Sequence, residues 1–150
     1  MSISQETELD RADVDDVLAS NETAVISMAR ADEPYSIPVS YGYDSDEQKF
    51  YLRLVSTPDS EKRRYLSSRP RVRLVVYEED EDVYRSVVAT GTLDEVARED
   101  LTAEHVEQYG DARRPLFEIW GMDREELDVE LYQVDPDDVS GRLVEVDRDG

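Results

Sequence analysis

Six short segments of this chain have the composition of β-strands, and polar turns separate most of them. They cover residues 24–29, 35–44, 50–54, 72–77, 83–96 and 127–134. The first three follow one another closely, which is typical of an antiparallel meander. So many strands with so little helix do not fit a flat open sheet in a chain of 150 residues. The sequence therefore predicts a mainly β fold, an antiparallel barrel that is closed or split.

Two local signals refine this prediction. Residues 9–18 place apolar side chains at helical spacing, which indicates a short amphipathic helix before the first of these strands. Gly91 interrupts the segment 83–96 and predicts a bulge or bend there. The chain has the usual length of one domain and no linker or internal repeat, so we expect a single domain over residues 1–150.

The formal net charge is −21, and the acidic residues are spread along the whole chain. One explanation is an acidic interaction surface. The other is halophilic adaptation, because concentrated salt screens the repulsion between carboxylates. The even distribution of the acidic residues favours adaptation to salt. Such charge also argues against nucleic acid or an anionic membrane as a partner.

Several kinds of active site are excluded by composition. Cysteine is absent, so the chain has no disulfide, no Cys-ligated zinc and no thiolate nucleophile. A single histidine, His105, cannot build a His-based metal cluster, and we expect it to lie on a surface or helix. No apolar run reaches membrane-spanning length, and the first residues lack the features of a signal peptide. We therefore expect a soluble, cytoplasmic protein.

A cationic pair lies near a predicted helix start. Thr57 is a good N-cap and Pro58 suits the first helical position, so a helix is predicted from there to just before Arg69. Lys62 and Arg63 fall in its first two turns, where the free backbone N–H groups and the helix dipole attract an anion. This layout can hold a phosphate. The alternative is that both cations balance neighbouring carboxylates on a solvated helix face.

Four motifs occur in order between residues 9 and 96. They are the Pro-Val-Ser-Tyr-Gly-Tyr-Asp run at 38–44, Ser60-x-Lys62, Leu66 four residues after that lysine, and the Arg-Pro-Arg-Val run at 69–72. In this order they resemble the pyridoxamine 5'-phosphate oxidase-related, FMN-binding split β-barrel family. The resemblance implies a homodimer with FMN in the subunit interface, acting on a small-molecule substrate.

The resemblance also implies which residues contact the flavin. The strand at 35–44 would flank the isoalloxazine ring, the end of the next strand would lie at the phosphate, and Lys62 would bind the phosphate beside Arg63. Ser86 stands where the oxidases carry the Gln of a Gln-x-Arg motif. The candidate cofactor-binding residues are Ile37, Pro38, Val39, Ser40, Arg53, Ser56, Thr57, Lys62, Arg63 and Ser86.

The same comparison separates this chain from the oxidase proper. Tyr35 and Glu61 stand where the oxidases carry arginines, and Val88 replaces the Arg of Gln-x-Arg. We therefore expect an FMN-dependent oxidoreductase that does not oxidise pyridoxamine phosphate. Three alternatives stay open: a deazaflavin cofactor, a flavin-binding protein without turnover, and a salt-adapted dimer whose site is lost.

The dimer would cover the outer face of the strand at 83–96. Strand alternation leaves two possibilities for that face, either Val87 with Ala89 or Ser86 with Val88.

Overall fold

The computed structural model describes residues 2–56, 69–96 and 128–147. All of the strand pairs among them are antiparallel. The predicted mainly β fold is confirmed. The elements are β1 (Ser2–Glu8), α1 (Arg11–Ser20), β2 (Thr23–Arg30), β3 (Glu33–Asp44), β4 (Lys49–Ser56), β5 (Arg71–Asp80), β6 (Val83–Glu95) and β7 (Asp128–Asp147).

Six strands close into a barrel through β7. The sheet order is β1-β7-β4-β3-β2-β5-β6, and β6 pairs back onto β7. One edge of β7 follows β6 for most of its length, while the other edge pairs first with β4, at residues 128–134, and then with β1, at residues 142–147. The chain therefore has the antiparallel split-barrel fold that the resemblance implied.

The barrel is open between β3 and β4. Their ladder has four pairs, from Asp44–Lys49 to Tyr41–Leu52. Beyond that point, residues 33–40 of β3 pair with β2 and residues 53–56 of β4 pair with β7. We call the opening between these two segments the split.

Two prolines on β3 suit an open edge. The β2–β3 ladder runs without a break through Ala29–Pro34 and Val25–Pro38. Because proline has no N–H to give to β2, its nitrogen occupies positions that face the other edge of β3, toward the split. That edge therefore lacks two of the donors that strand pairing would need, which helps to keep the split open.

The barrel interior is filled by alternate residues of the strands. Phe50 and Leu52 of β4, Ile26 of β2 and Val134 of β7 are completely buried there. Helix α1, predicted at residues 9–18 and found at 11–20, covers one end of the barrel with its buried face. Its N-cap is Asp10, whose carboxylate accepts a hydrogen bond from the Asp13 N–H at 2.9 Å. Among the described residues, no helix is long and apolar enough to cross a membrane.

Gly91 lies at a β-bulge, as predicted. The register between β6 and β7 shifts between Thr90 and Gly91, so that Asp137 has no partner in the ladder. Its carboxylate instead accepts hydrogen bonds of 2.6 and 3.2 Å from the two terminal nitrogens of Arg71, which lower the pKa of that carboxyl. These side-chain hydrogen bonds therefore link the bulge in β7 to β5, on the other side of β6.

Strand β1 and the second half of β7 differ from the prediction, which ended the last strand at residue 134. Residues 2–8 are largely polar, so they carry little apolar alternation. Residues 135–138 read Asp-Pro-Asp-Asp, a typical turn signal. The bulge accommodates this sequence inside a continuous strand instead.

Gly91→Ala should destabilise the protein more than Gly141→Ala. A Cβ at Gly91 would lie 2.9 Å from the Asp135 carbonyl oxygen and 3.0 Å from the Pro136 Cα, so the backbone itself must move. At Gly141 the three nearest atoms all belong to side chains, with Val14 Cγ2 at 2.8 Å and two atoms of Leu9 at 3.1 Å, and none is a backbone atom. We expect a loss of about 1–3 kcal/mol in the free energy of unfolding for Gly91→Ala.

Urea unfolding of both variants at one fixed salt concentration measures this difference. Equal losses for the two variants would show that the backbone contacts at Gly91 constrain the fold no more than the side-chain contacts at Gly141 do.

Candidate functional site

The predicted cofactor residues of β3 and β4 lie on opposite sides of the split. Residues 37–40 belong to the segment of β3 that pairs with β2, on the split side of the β3–β4 ladder. Arg53 and Ser56 belong to the segment of β4 that has left β3 and pairs with Leu131 and Asp128 of β7. Residues far apart in sequence thus frame one opening. Thr57, Lys62 and Arg63 lie outside the described residues.

The four β3 residues divide between two faces. Val39 is buried in the core and Ile37 packs against it, so both side chains point into the barrel. Pro38 and Ser40 alternate with them and point outward, Pro38 exposed and Ser40 buried. A ligand in the split can therefore meet Pro38 and Ser40 through their side chains, and Ile37 and Val39 through their backbone.

Arg53 is a half-buried cation with no ion pair among the described residues. Arg30 and Arg73 share this lack of an ion pair, but both are exposed. The other arginines of the described segments are paired with carboxylates. These are Arg11, Arg69, Arg71, Arg85 and Arg142. In a chain of net charge −21, a half-buried arginine beside an opening is well placed to receive an anion.

Two tyrosines at the α1 end of the barrel are engaged in the fold. The buried Tyr41 hydroxyl donates a hydrogen bond of 2.6 Å to the Leu18 carbonyl oxygen, and the Tyr43 hydroxyl donates one of 2.6 Å to the Asp15 carboxylate. Burial raises the pKa of both phenols, and for Tyr43 the bond to Asp15 raises it further. Both tyrosines line a cavity of about 280 Å³, but their hydroxyl groups are already hydrogen-bonded to residues of α1.

Ser86 lies on a different part of the surface. Val87 and Ala89 are buried in the core, which leaves Ser86 and Val88 as the outward pair of β6. Together with residues of β1 and β7 they line a cleft of about 660 Å³, which we call the β6–β7 cleft. Its walls carry Glu6, Glu8, Ser86, Val88, Ser140 and Arg142.

Within one chain, Ser86 and Arg53 lie far apart. The Val96 N–H, just past the end of β6, donates to the carbonyl oxygen of Leu131, the β7 residue that pairs with Arg53. Ser86 is ten residues away from Val96 along the chain, about 33 Å in an extended strand. The predicted set therefore divides into a group at the split and Ser86 at the β6–β7 cleft.

The described acidic residues outside these regions form no recognisable catalytic group. Arg85 lies 3.9 Å from Glu78, in a cavity of about 270 Å³ that Asp13 and Asp16 also line. Within the described segments, no cluster of three or more His, Asp or Glu side chains is arranged to hold a metal ion.

Sequence reasoning did not predict that Glu6, Glu8 and Arg142 line one cleft. Glu6 and Glu8 belong to β1, and Arg142 belongs to the half of β7 that the turn-like sequence concealed. The available signal was the Gly141-Arg142 pair near the end of the chain, whose pairing partner cannot be identified without β1.

The sequence matches the family model described as pyridoxamine 5'-phosphate oxidase over residues 10–143. The chain therefore belongs to that family. A search of proteins with curated functions found no significant match.

Several solved structures share the fold. The chain is similar to an FAD-binding protein from Mesorhizobium loti, with a TM-score of 0.75 and 19% identity over 97% of this chain and 100% of the other. It is also similar to the FAD binding protein from Mycobacterium smegmatis (TM-score 0.67, 15% identity, 94% and 100% coverage). The FAD and heme binding protein from the same organism aligns with a TM-score of 0.64 and 18% identity, over 97% of this chain and 78% of the other.

The raised pKa of Tyr43 predicts a pH dependence of stability. In the unfolded chain a tyrosine ionises near pH 10. The folded protein keeps the proton to higher pH, so the stabilisation is complete below about pH 10 and is lost as the pH rises through the folded pKa. Tyr43→Phe removes one such group and should make the loss of stability above about pH 10 shallower.

Urea midpoints between about pH 8 and about pH 11, at constant salt, measure this slope for both proteins. The same slope in Tyr43→Phe and in the parent would contradict a folded-state pKa above that of free tyrosine.

Proposed function

We propose that the protein is an FMN-dependent oxidoreductase that binds the flavin at the split. The observation that carries this proposal is Arg53, a half-buried arginine without an ion pair among the described residues, on the edge of the opening. Removing a cation from water without a partner costs free energy, and an anionic ligand beside it offsets that cost. The phosphate of FMN is such an anion.

The edge of β3 that faces the split suits the flat isoalloxazine ring of the flavin. The Pro34 and Pro38 nitrogens face the split and carry no hydrogen, whereas the carbonyl oxygens on that edge remain acceptors. Ser40 adds a buried hydroxyl on the outer face of the same segment. An apolar ring with N–H and carbonyl groups along one edge fits an edge of this composition. The residues present are therefore compatible with a flavin.

Lys62, Arg63 and Thr57 complete the phosphate end in this proposal. They follow Ser56, the last residue of β4, by one to seven residues, and the support for their role is the N-cap sequence and its two cations. When bound, the flavin supplies hydride and electron transfer, and the chain's part is to hold its phosphate and position its ring.

Pyridoxamine phosphate is not the proposed substrate. Tyr35 stands where the oxidases carry an arginine, and it packs against the barrel core. The substrate is a different small molecule.

We further propose that the protein is a homodimer. Four residues that pair across neighbouring strands form an apolar row on the outer face of the barrel. The three valines of this row are half-buried in the single chain. The row runs through Pro38, Val25, Val75 and Val88, and ends at Ser140. A second copy on this row would bring its own Ser86 to the flavin of the first.

Arg53→Gln should weaken FMN binding about tenfold or more at fixed salt, because a charge-assisted hydrogen bond contributes about 1.5–3 kcal/mol. Riboflavin has the same ring but no phosphate, so the substitution should leave riboflavin binding nearly unchanged. Titrations of both ligands, followed by quenching of flavin fluorescence, give the two affinities.

The matched control is Arg73→Gln, since Arg73 also lacks an ion pair among the described residues but is exposed on β5. Lys62→Ala should also lower FMN affinity by an order of magnitude or more. If Arg53→Gln changes FMN and riboflavin binding equally, or no more than Arg73→Gln does, Arg53 is not the phosphate contact.

Turnover separates an enzyme from a flavin-binding protein. The FMN-loaded protein should oxidise a nicotinamide donor steadily in the presence of an electron acceptor, faster than free FMN at the same concentration. A rate equal to that of free FMN, together with tight FMN binding, would instead establish a binding protein without turnover. Deazaflavin tested in parallel identifies the preferred cofactor.

A further inference from the structure

Two neighbouring rows on the outer face of the barrel carry no charged side chain across β3, β2, β5 and β6, although 37% of the residues in this chain are charged. We call these two rows the neutral face. It consists of Pro38, Val25, Val75 and Val88 in one row and of Ser40, Thr23, Tyr77 and Ser86 in the next. Thr23 lies beside Tyr77 because the Val25–Val75 register, extended by two residues, brings them together.

A second copy of this chain fits the neutral face. Each chain has a net charge of −21, so two copies repel one another wherever their charged surfaces meet. A face without charge avoids that repulsion, and its aliphatic side chains lose contact with water when a partner covers them. In a dimer with two-fold symmetry the same face serves both copies.

Tyr77 is the residue of the neutral face that a partner would cover to the greatest extent. It is 69% exposed, and among the described residues it is the large apolar side chain that is most clearly left in solvent. Ser86, its neighbour on β6, is half-buried. A tyrosine combines an apolar ring with a polar hydroxyl, which suits a surface that meets both a partner and a ligand.

The strands of the neutral face place the symmetry axis of this dimer. The face spans β3, β2, β5 and β6, so its centre lies between β2 and β5. A two-fold axis that passes there, parallel to the strands, lays β5 of the partner subunit on β2 and β6 of the partner subunit on β3. This orientation agrees with the proposed homodimer, because it brings Ser86 of the partner subunit to Ser40, at the edge of the split.

The same axis brings Tyr77 of the partner subunit close to the split. That residue lies opposite Thr23, and Thr23 pairs with Ser40 on the neighbouring strand. One strand spacing, about 4.8 Å, therefore separates it from the edge at which the flavin is proposed to bind. A tyrosine side chain extends further than this from its Cα, so its ring can reach a ligand at that edge.

We propose that Tyr77 of each copy contacts the isoalloxazine ring of the flavin bound at the split of the other copy. The inference rests on the proposed function and adds to it an aromatic contact that the partner subunit contributes. It concerns binding and includes no chemical step.

Tyr77→Ala should weaken the binding of FMN and of riboflavin by the same factor, about threefold to tenfold, because a contact with the ring does not depend on the phosphate. Tyr77→Phe keeps an aromatic ring and should retain most of the affinity for both ligands. Arg53→Gln, in contrast, is expected to affect FMN alone. The titrations use a protein concentration at which sedimentation shows each variant to be dimeric, so that a loss of affinity does not reflect a loss of the dimer.

A mixed dimer shows whether Tyr77 acts on the site of the other copy. One chain carries Arg53→Gln and the other carries Tyr77→Ala, and two different affinity tags isolate the dimer that contains both chains. If Tyr77 acts across the interface, one site has both changes and the other has neither, so half of the sites bind FMN with the affinity of the parent. If Tyr77 acts within its own chain, each site has one change and no site keeps that affinity.

Two results would overturn this inference alone, in a parent dimer that binds FMN as proposed. One is an unchanged affinity of Tyr77→Ala for both FMN and riboflavin. The other is a mixed dimer in which no site has the affinity of the parent. A parent chain that binds no flavin, or that binds it as a monomer, would overturn the proposed function together with the inference.

Discussion

The pairing of β7 is the constraint on which the rest of the structure depends. Its 20 residues follow β6 on one edge and pass from β4 to β1 on the other. Because residues 53–56 of β4 are hydrogen-bonded to β7, they can leave β3 without losing all of their backbone partners. The split, and with it the position of Arg53, follows from this arrangement. The bulge at Gly91 shifts the register between β6 and β7 within this continuous strand.

The excess of carboxylates bears on the role of Arg53. The ion pairs of the described residues are all partly exposed, and such pairs contribute little to stability. Most of the stability must therefore come from the apolar interior. Arg53 is half-buried and lacks an ion pair within the described segments, and the proposal gives it the flavin phosphate as its partner. The proposed phosphate contact is compatible with a surface of net negative charge because Arg53 lies at one small opening.

Much of the fold could be predicted from local patterns. Residues 24–54 form three successive hairpin-connected strands, helix α1 has apolar spacing, and Gly91 marks the bulge. Strand β1 and the second half of β7 could not be predicted, because their sequences are polar or turn-like and they form a strand pair through long-range contacts. The same limit affected the site. The predicted residues of β3 and β4 lie on opposite sides of the split. Glu8 and Arg142 become neighbours only through the β1–β7 ladder.

The strand register also separates the residue that distinguishes this chain from the oxidase proper from the residues of the proposed flavin site. Along β3, odd-numbered residues from Tyr35 to Tyr43 contact the barrel core, and even-numbered residues face outward. Tyr35, which stands where the oxidases carry an arginine, therefore lies on the core face of β3. The flavin proposal depends instead on the outward Pro38 and on Arg53 of β4, which the change at residue 35 does not touch. Tyr35 and the proposed cofactor contact Pro38 thus lie on opposite faces of one strand.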